Sequence, residues 1–196
     1  SQKNSNQEDI IFINKNKNIF LRYFYFFRQV NKLASWADMI YTLDLMSAGF
    51  PAVLAAILKR KKVIFRTGGD FLWEKAYQKG WTELPLSEYY KDKKNFLEKL
   101  LIFFCRQLLG RINFVIFSTE FQAKIYKEYY KLPQEKIKII ANASLEVNNF
   151  LPDYQYRDSF IFAGRLIKLK NLNRLIKAFS KIKDGNIKLI IFGQGP

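Results

Sequence analysis

Between Asp158 and Pro196 the chain reads strand, helix, strand, and this order is the strongest constraint on its fold. Residues 159–163 are a short, mostly apolar run ending at Gly164-Arg165, with Lys170 five positions further on. A helix is predicted over 171–183, because Leu172, Leu175, Ile176, Phe179 and Ile182 recur at helical spacing on one face. Residues 187–192 are apolar at nearly every position, the pattern of a parallel strand covered on both faces, and they open into Gly193-x-Gly195. The segment is therefore a βαβ unit, with cations and bare glycine backbone gathered where its strands end. Ligands of open α/β sheets collect at that edge. A helix amino end with Arg165 and Lys170 beside it suits a phosphate or diphosphate, whereas the bland alternative is two solvated surface cations.

The rest of the chain follows the same alternation. Strands are predicted at 9–13, 38–42, 62–67, 113–117 and 137–140, and helices near 19–34, 50–59, 93–109 and 119–131. Alternation of this kind gives an α/β fold: Rossmann-like parallel sheets with helices on both faces. Pro51 suits the first turn of its helix. Lys59-Arg60-Lys61-Lys62 at that helix's end complements the dipole and reads as structural. Ser144 to Arg157, with Pro152 and two Asn, is the expected boundary. The organisation is then 1–143 as one domain lacking its first strand, 144–157 as linker, and 158–196 as the first βαβ of a second domain.

Composition excludes several chemistries. The chain has no histidine and one cysteine. Ser-His-Asp and Cys-His catalysis are thereby ruled out, as are Cys/His zinc sites and an intrachain disulfide. Cys105, within Leu-Leu-Ile-Phe-Phe-Cys, reads as a small buried apolar residue. The 33 basic and 17 acidic residues give a net charge of +16. Such an excess points either to an anionic partner or to a lysine-rich codon bias, since Lys, Asn, Ile, Phe and Tyr are all abundant. Eight cations and one carboxylate lie between Arg165 and Lys188, and six cations and two carboxylates between Lys91 and Arg111. The second stretch is an amphipathic helix with a very apolar side. It and the aromatic run Phe20–Phe27 are too short and too charged to span a bilayer. The default for both is a core-facing helix; the alternative is a basic, aromatic face lying on an anionic membrane.

At the end of the 62–67 strand stands Gly68-Gly69-Asp70. Glycine there lets a ligand approach the backbone, and Asp70 either accepts from a sugar hydroxyl or caps the helix beginning at Phe71. Trp73, Trp81 and the Tyr89-Tyr90 pair offer sugar-stacking rings, with packing as the ordinary alternative.

Gly164-Arg165-x4-Lys170-Asn171, the following helix and strand, and Gly193-x-Gly195-Pro196 resemble the start of the carboxy-terminal domain of family 4 glycosyltransferases, retaining enzymes of GT-B architecture. Upstream, Ala37-Asp38-Met-Ile-Tyr41, Ala48-Gly49-Phe-Pro51, Val63 to Asp70 and Lys138-Ile-Ile-Ala-Asn142 follow the family's amino-terminal domain in order. Two departures stand out. Ala141 and Ala143 flank Asn142 where relatives carry Pro and Gly, and Gly69-Asp70 stands where many carry His-Asp.

The resemblance implies transfer of a sugar from a nucleotide-diphosphate sugar to an acceptor hydroxyl, with retention, in cell-envelope or polysaccharide biosynthesis. It implies that Gly164, Arg165, Lys170, Gly193 and Gly195 bind the donor. Arg165 and Lys170 carry the catalytic charge stabilisation, and Gly68, Gly69 and Asp70 form the acceptor side. No metal or other cofactor is expected. Expected partners are the nucleotide sugar and a glycan or lipid-linked acceptor, with peripheral contact to an anionic membrane as an option and no nucleic acid; the expected location is cytoplasmic, either free or peripheral on the membrane's inner face. Relatives continue past the Gly-x-Gly loop to a pair of glutamates that contact the donor. The chain therefore reads as an internal piece, expected not to transfer sugar alone. The competing class is a non-catalytic basic α/β module binding membrane or nucleic acid. A different nucleotide-binding α/β enzyme would need a Gly-x-Gly-x-x-Gly turn, which is not visible.

Overall fold

The computed structural model describes residues 10–13, 18–143, 158–183 and 185–195. They divide into two compact units: Ser1–Leu72 with Asp92–Asn142, and Trp73–Lys91 with Ala143–Pro196. Residues 73–91, expected within the first domain, thus group with the carboxy-terminal residues. The expected linker, 144–157, lies outside the described residues.

The first unit holds a four-stranded parallel sheet in the order β1-β2-β3-β4, comprising Met39–Thr42, Lys62–Thr67, Phe114–Phe117 and Ile137–Ile139. Successive strands are neighbours, so right-handed crossovers place the connecting helices α2 (Gly49–Lys59), α5 (Phe96–Arg111) and α6 (Glu120–Tyr129) on one face. Burial along the strands agrees. Val63, Phe65 and Thr67 of β2 are buried together with Val115 and Phe117 of β3, and the Phe117 ring meets Tyr126 of α6 at 4.9 Å. The other face, with Ile64, Arg66, Phe114 and Ile116, is half-buried or exposed. Among the described residues the strands are covered mainly on one side. The fold is α/β with a Rossmann-like parallel sheet.

Local chemistry explains the helix boundaries. Helix α1 (Ile19–Leu33) starts where Asn18 Oδ1 accepts from Phe20 N–H at 3.0 Å. For α2 the cap comes from outside the helix: the Asp44 carboxylate accepts from Ala48 N–H at 3.0 Å. Pro51 lies in its first turn, where no intrahelical donor is lost. Helix α5 opens with a capping box, in which Asn95 Oδ1 accepts from Glu98 N–H and Glu98 Oε2 from Asn95 N–H, both at 2.8 Å. Thr119 caps α6. The expected strand at 9–13 is not formed over 10–13: none of the described strands pairs with it, and Ile10 and Phe12 are exposed.

In the second unit, β5 (Ser159–Ala163) and β6 (Lys188–Phe192) pair in parallel, with Ala163 opposite Phe192. Helix α7 spans only Leu172–Phe179, shorter than the expected 171–183. The chain tightens into turns there, with Lys181 N–H bonding Ala178 O and Ile182 N–H bonding Phe179 O, so Ile182 leaves the helical face. Residues 168–170 form a 3-10 turn instead of leading straight into the helix. The same unit contains most of α3 (Phe71–Gln78), the helix expected after Asp70, and all of α4 (Leu86–Tyr89), which the periodicity did not reveal. Tyr89 and Tyr90 are buried against each other, and Trp73 Nε1–H donates to Leu84 O at 2.9 Å, so these rings serve packing.

Candidate active site

At the carboxyl edge of the β5–β6 sheet two loops run in backbone contact. Gly164 N–H donates to Phe192 O at 3.0 Å and Leu166 N–H to Gln194 O at 2.9 Å, extending the parallel ladder past both strand ends. The closeness of the loops requires glycine. A Cβ on Gly193 would collide with the Gly164 carbonyl oxygen, and one on Gly195 with the Leu166 carbonyl oxygen. Gly193 and Gly195 therefore fix the shape of the loop that carries Arg165.

Arg165 and Lys170 are both exposed, and among the described residues neither side chain is hydrogen-bonded or ion-paired. They bracket Leu166 to Leu169 and precede the amino end of α7. Asn171 makes the junction by adopting the left-handed conformation (φ 54°, ψ 34°), which Asn tolerates better than most residues. Two free cations thus stand next to a helix amino terminus, where an anion is favoured.

A cavity of about 520 Å³ opens beside this loop within the second unit. Its lining includes Lys168, Asn171, Asn173 and Arg174, with Tyr77 and Glu83 opposite. Lys168 Nζ sits 5.5 Å from the centre of the Tyr77 ring. Neither Arg165 nor Lys170 lines this cavity. Lys168 and Arg174 were not singled out from the sequence, although both belong to its carboxy-terminal basic run.

The first unit has its own strand-end cluster. Gly68 is exposed, and a Cβ there would meet nothing within 4 Å. Thr67 Oγ1 accepts from Gly69 N–H at 3.3 Å, shaping the turn. Asp70 is buried (1% exposed), and its Oδ2 lies 3.5 Å from the hydroxyl of Tyr130, itself buried. Its carboxylate serves the interior of the unit, leaving the exposed Gly68 as the open part of the triplet.

Beside the triplet lies a polar cluster that the sequence indicated only through Asn142. Asn142 Oδ1 accepts from Arg66 Nη2 at 3.0 Å and from Ser118 Oγ at 3.2 Å, and Arg66 also reaches Ile140 O at 3.2 Å. The ends of β2, β3 and β4 are thereby tied together at the sheet's carboxyl edge. The available signal was Arg66, a cation directly after the apolar run Val63-Ile64-Phe65. Among the described residues, no group of three or more His, Cys, Asp and Glu is placed to hold a metal ion.

Comparison with known proteins bears on both halves of the chain. An uncharacterized glycosyltransferase of Methanocaldococcus jannaschii is 30% identical over 124 residues, an alignment that covers 57% of this chain and 30% of that protein. The chain thus spans less than a third of the relative's length. Residues 149–196, which contain the Arg165–Lys170 loop and the Gly193-Gln194-Gly195 turn, fit the family described as glycosyl transferases group 1.

Proposed function

We propose that the chain is part of a glycosyltransferase that moves a sugar from a nucleotide-diphosphate sugar to an acceptor hydroxyl with retained configuration. The observation that carries this reading is the pair of exposed cations, Arg165 and Lys170, unpaired among the described residues, at the carboxyl edge of β5 and β6 before α7. The group 1 match over the same residues supports it.

When the glycosidic bond breaks, negative charge grows on the leaving diphosphate. Arg165 presents a planar fork of donors suited to two phosphate oxygens, and Lys170 supplies a compact point charge. The ladder through Gly164 and Leu166 fixes the backbone at Arg165, and the turn closed by Lys170 N–H to Ile167 O fixes that at Lys170, so little backbone reorganisation is needed as charge develops. The two cations do the work that a divalent ion performs in other transferases.

On the acceptor side, the exposed backbone of Gly68 admits close approach of a sugar hydroxyl. The Arg66–Asn142–Ser118 cluster holds the surrounding strand ends in place. A glycan or lipid-linked acceptor in envelope or polysaccharide synthesis, on the cytoplasmic side of the membrane, fits this reading, and nucleic acid has no part in it.

The test is a transfer assay on the native protein with a panel of nucleotide sugars, reading product anomers by NMR. Arg165→Ala and Lys170→Ala should each lower kcat by about 100-fold, the scale of a lost charge-stabilising donor. Both should keep the thermal midpoint unchanged, because neither side chain packs a core. Inverted product, or near-normal turnover in either variant, overturns the assignment.

A further inference from the structure

The outward sides of α2 and α5 are apolar where a solvated helix would be polar. On α2, Leu54, Ile57 and Leu58 are 38%, 47% and 65% exposed, while Ala52, Val53, Ala55 and Ala56 are buried. On α5, Phe96, Leu97, Leu100 and Phe103 are all more than half exposed, while Cys105, Leu108 and Leu109 face inward. Both helices cross between neighbouring parallel strands on the same face of the sheet, so their outer sides look the same way. Helix α1 lies against α2, through Tyr23 and Phe50 at 5.9 Å, and Phe50 meets Phe104 of α5 at 5.4 Å. It adds exposed Phe20, Leu21 and Phe24.

Charge separates the possible occupants of this surface. Helices α1, α2 and α5 contain a single carboxylate, Glu98, which is buried (4% exposed) and held in the Asn95 capping box. Exposed cations flank the apolar stripes: Arg28 and Lys32 on α1, Lys59 and Arg60 at the end of α2, Lys99 and Arg111 on α5. A second copy of the chain would set these like charges against each other. Phe20, Phe24, Phe96 and Phe103 each offer a ring to a nucleic-acid base, but Leu54, Ile57, Leu58, Leu97 and Leu100, which make up the rest of the surface, give it nothing to stack on. Aliphatic and Phe side chains rimmed by Lys and Arg, without acidic groups, match the boundary between acyl chains and anionic headgroups.

We infer that the outer surface of α2 and α5, with α1 beside them, seats the first unit on an anionic lipid bilayer. Among the described residues no helix is long and apolar enough to cross a membrane, so the contact is peripheral. The stripes enter the headgroup boundary while the cations remain at the phosphates. This inference stands on the exposed surface and does not depend on sugar transfer.

The test is co-flotation of the purified 196-residue chain with vesicles of phosphatidylcholine alone or mixed with phosphatidylglycerol. The chain should float with the mixed vesicles and be largely released by salt, since screening shortens the attraction. Leu100→Glu combined with Phe103→Glu should weaken binding about tenfold or more, as apolar insertion is lost. Lys138→Glu on β4, which stands over the Phe114 ring on the other face of the sheet, makes the same change in net charge away from the surface and should leave binding near normal. Circular dichroism shows whether each variant is folded. If the double variant fails to fold, Lys99→Gln and Arg111→Gln serve instead, each expected to weaken binding roughly fivefold.

Equal flotation with neutral and anionic vesicles overturns the inference. So does displacement of the bound chain from lipid by an RNA oligonucleotide. Lipid-free self-association that disappears in the Leu100→Glu, Phe103→Glu variant would assign the surface to a second copy and overturn it too.

Discussion

Replacing Gly193 with alanine tests whether the two strand-end loops of the second unit truly touch. The new methyl group would overlap the Gly164 carbonyl oxygen, a backbone atom with no rotamer to escape into. The loops must part, and the bonds joining them, Gly164 N–H to Phe192 O and Leu166 N–H to Gln194 O, are the first to lengthen. Each is worth about 1 kcal/mol net, so their loss together costs about 2 kcal/mol. Overpacking in general costs about 1–3 kcal/mol, which agrees. For a chain of this size that is a fall of about 4–8 °C in the thermal midpoint. Gly68→Ala is the control: its Cβ would meet open space, and the expected loss is below about 0.5 kcal/mol. Thermal unfolding by circular dichroism gives the first comparison. Amide exchange gives a sharper one, because Gly164 and Leu166 should lose protection in Gly193→Ala while β2 and β3 amides keep theirs. If Gly193→Ala and Gly68→Ala are equally mild, and Leu166 stays protected, the loop contact is not as described.

Other substitutions probe the supports of the first unit. Asp44→Ala removes the carboxylate that accepts from Ala48 N–H, and should cost about 1 kcal/mol in chemical denaturation, the scale of a lost cap. Phe65→Ala empties a site only 2% exposed between the sheet and its helices, and should cost about 3–5 kcal/mol by the same measurement. Asn142→Ala leaves Arg66 and Ser118 without their shared acceptor. It should raise the acceptor KM in the transfer assay while changing unfolding by less than about 1 kcal/mol, because Asn142 is exposed.

Where one interaction dominated, the sequence was legible. Strands 62–67 and 159–163 coincide with their predicted spans, since runs such as Val63-Ile64-Phe65 and Phe160-Ile161-Phe162 leave little alternative in an α/β chain. Burial of Cys105, at 1% exposure, followed from its apolar neighbours. What could not be read depended on contacts remote in sequence. The periodicity of 93–109 gave a helix with an apolar side but not the direction that side faces. Glu98, Cys105, Leu108 and Leu109 are buried while Leu97, Leu100 and Phe103 are exposed, because the apolar residues run round the helix and only one of its faces meets the core. Helix α4 was not read because Leu86-Ser87-Glu88-Tyr89 carries too short a pattern, and the 171–183 helix was overrun because Ile182 keeps helical spacing beyond the turn at Ser180. At the site, the cation pair was visible as residue types at the end of a strand. The burial of Asp70 beside Tyr130, sixty positions away, was not. Nor was the convergence of Arg66 and Ser118 on Asn142, which pairing of β2, β3 and β4 brings about.

The central claim is that a diphosphate rests on Arg165 and Lys170 at the carboxyl edge of β5 and β6. Titration calorimetry of the 196-residue chain with uridine and guanosine diphosphates, each against its monophosphate, tests this directly. The account expects at least one diphosphate to bind more tightly than its monophosphate. Arg165→Ala and Lys170→Ala should each weaken that binding about tenfold, the value of one charge-assisted hydrogen bond of about 1.5 kcal/mol. Lys124→Ala, on α6 of the other unit, should leave it unchanged. Diphosphate affinity that is the same in all three variants would contradict the assignment, as would equal affinity for mono- and diphosphate.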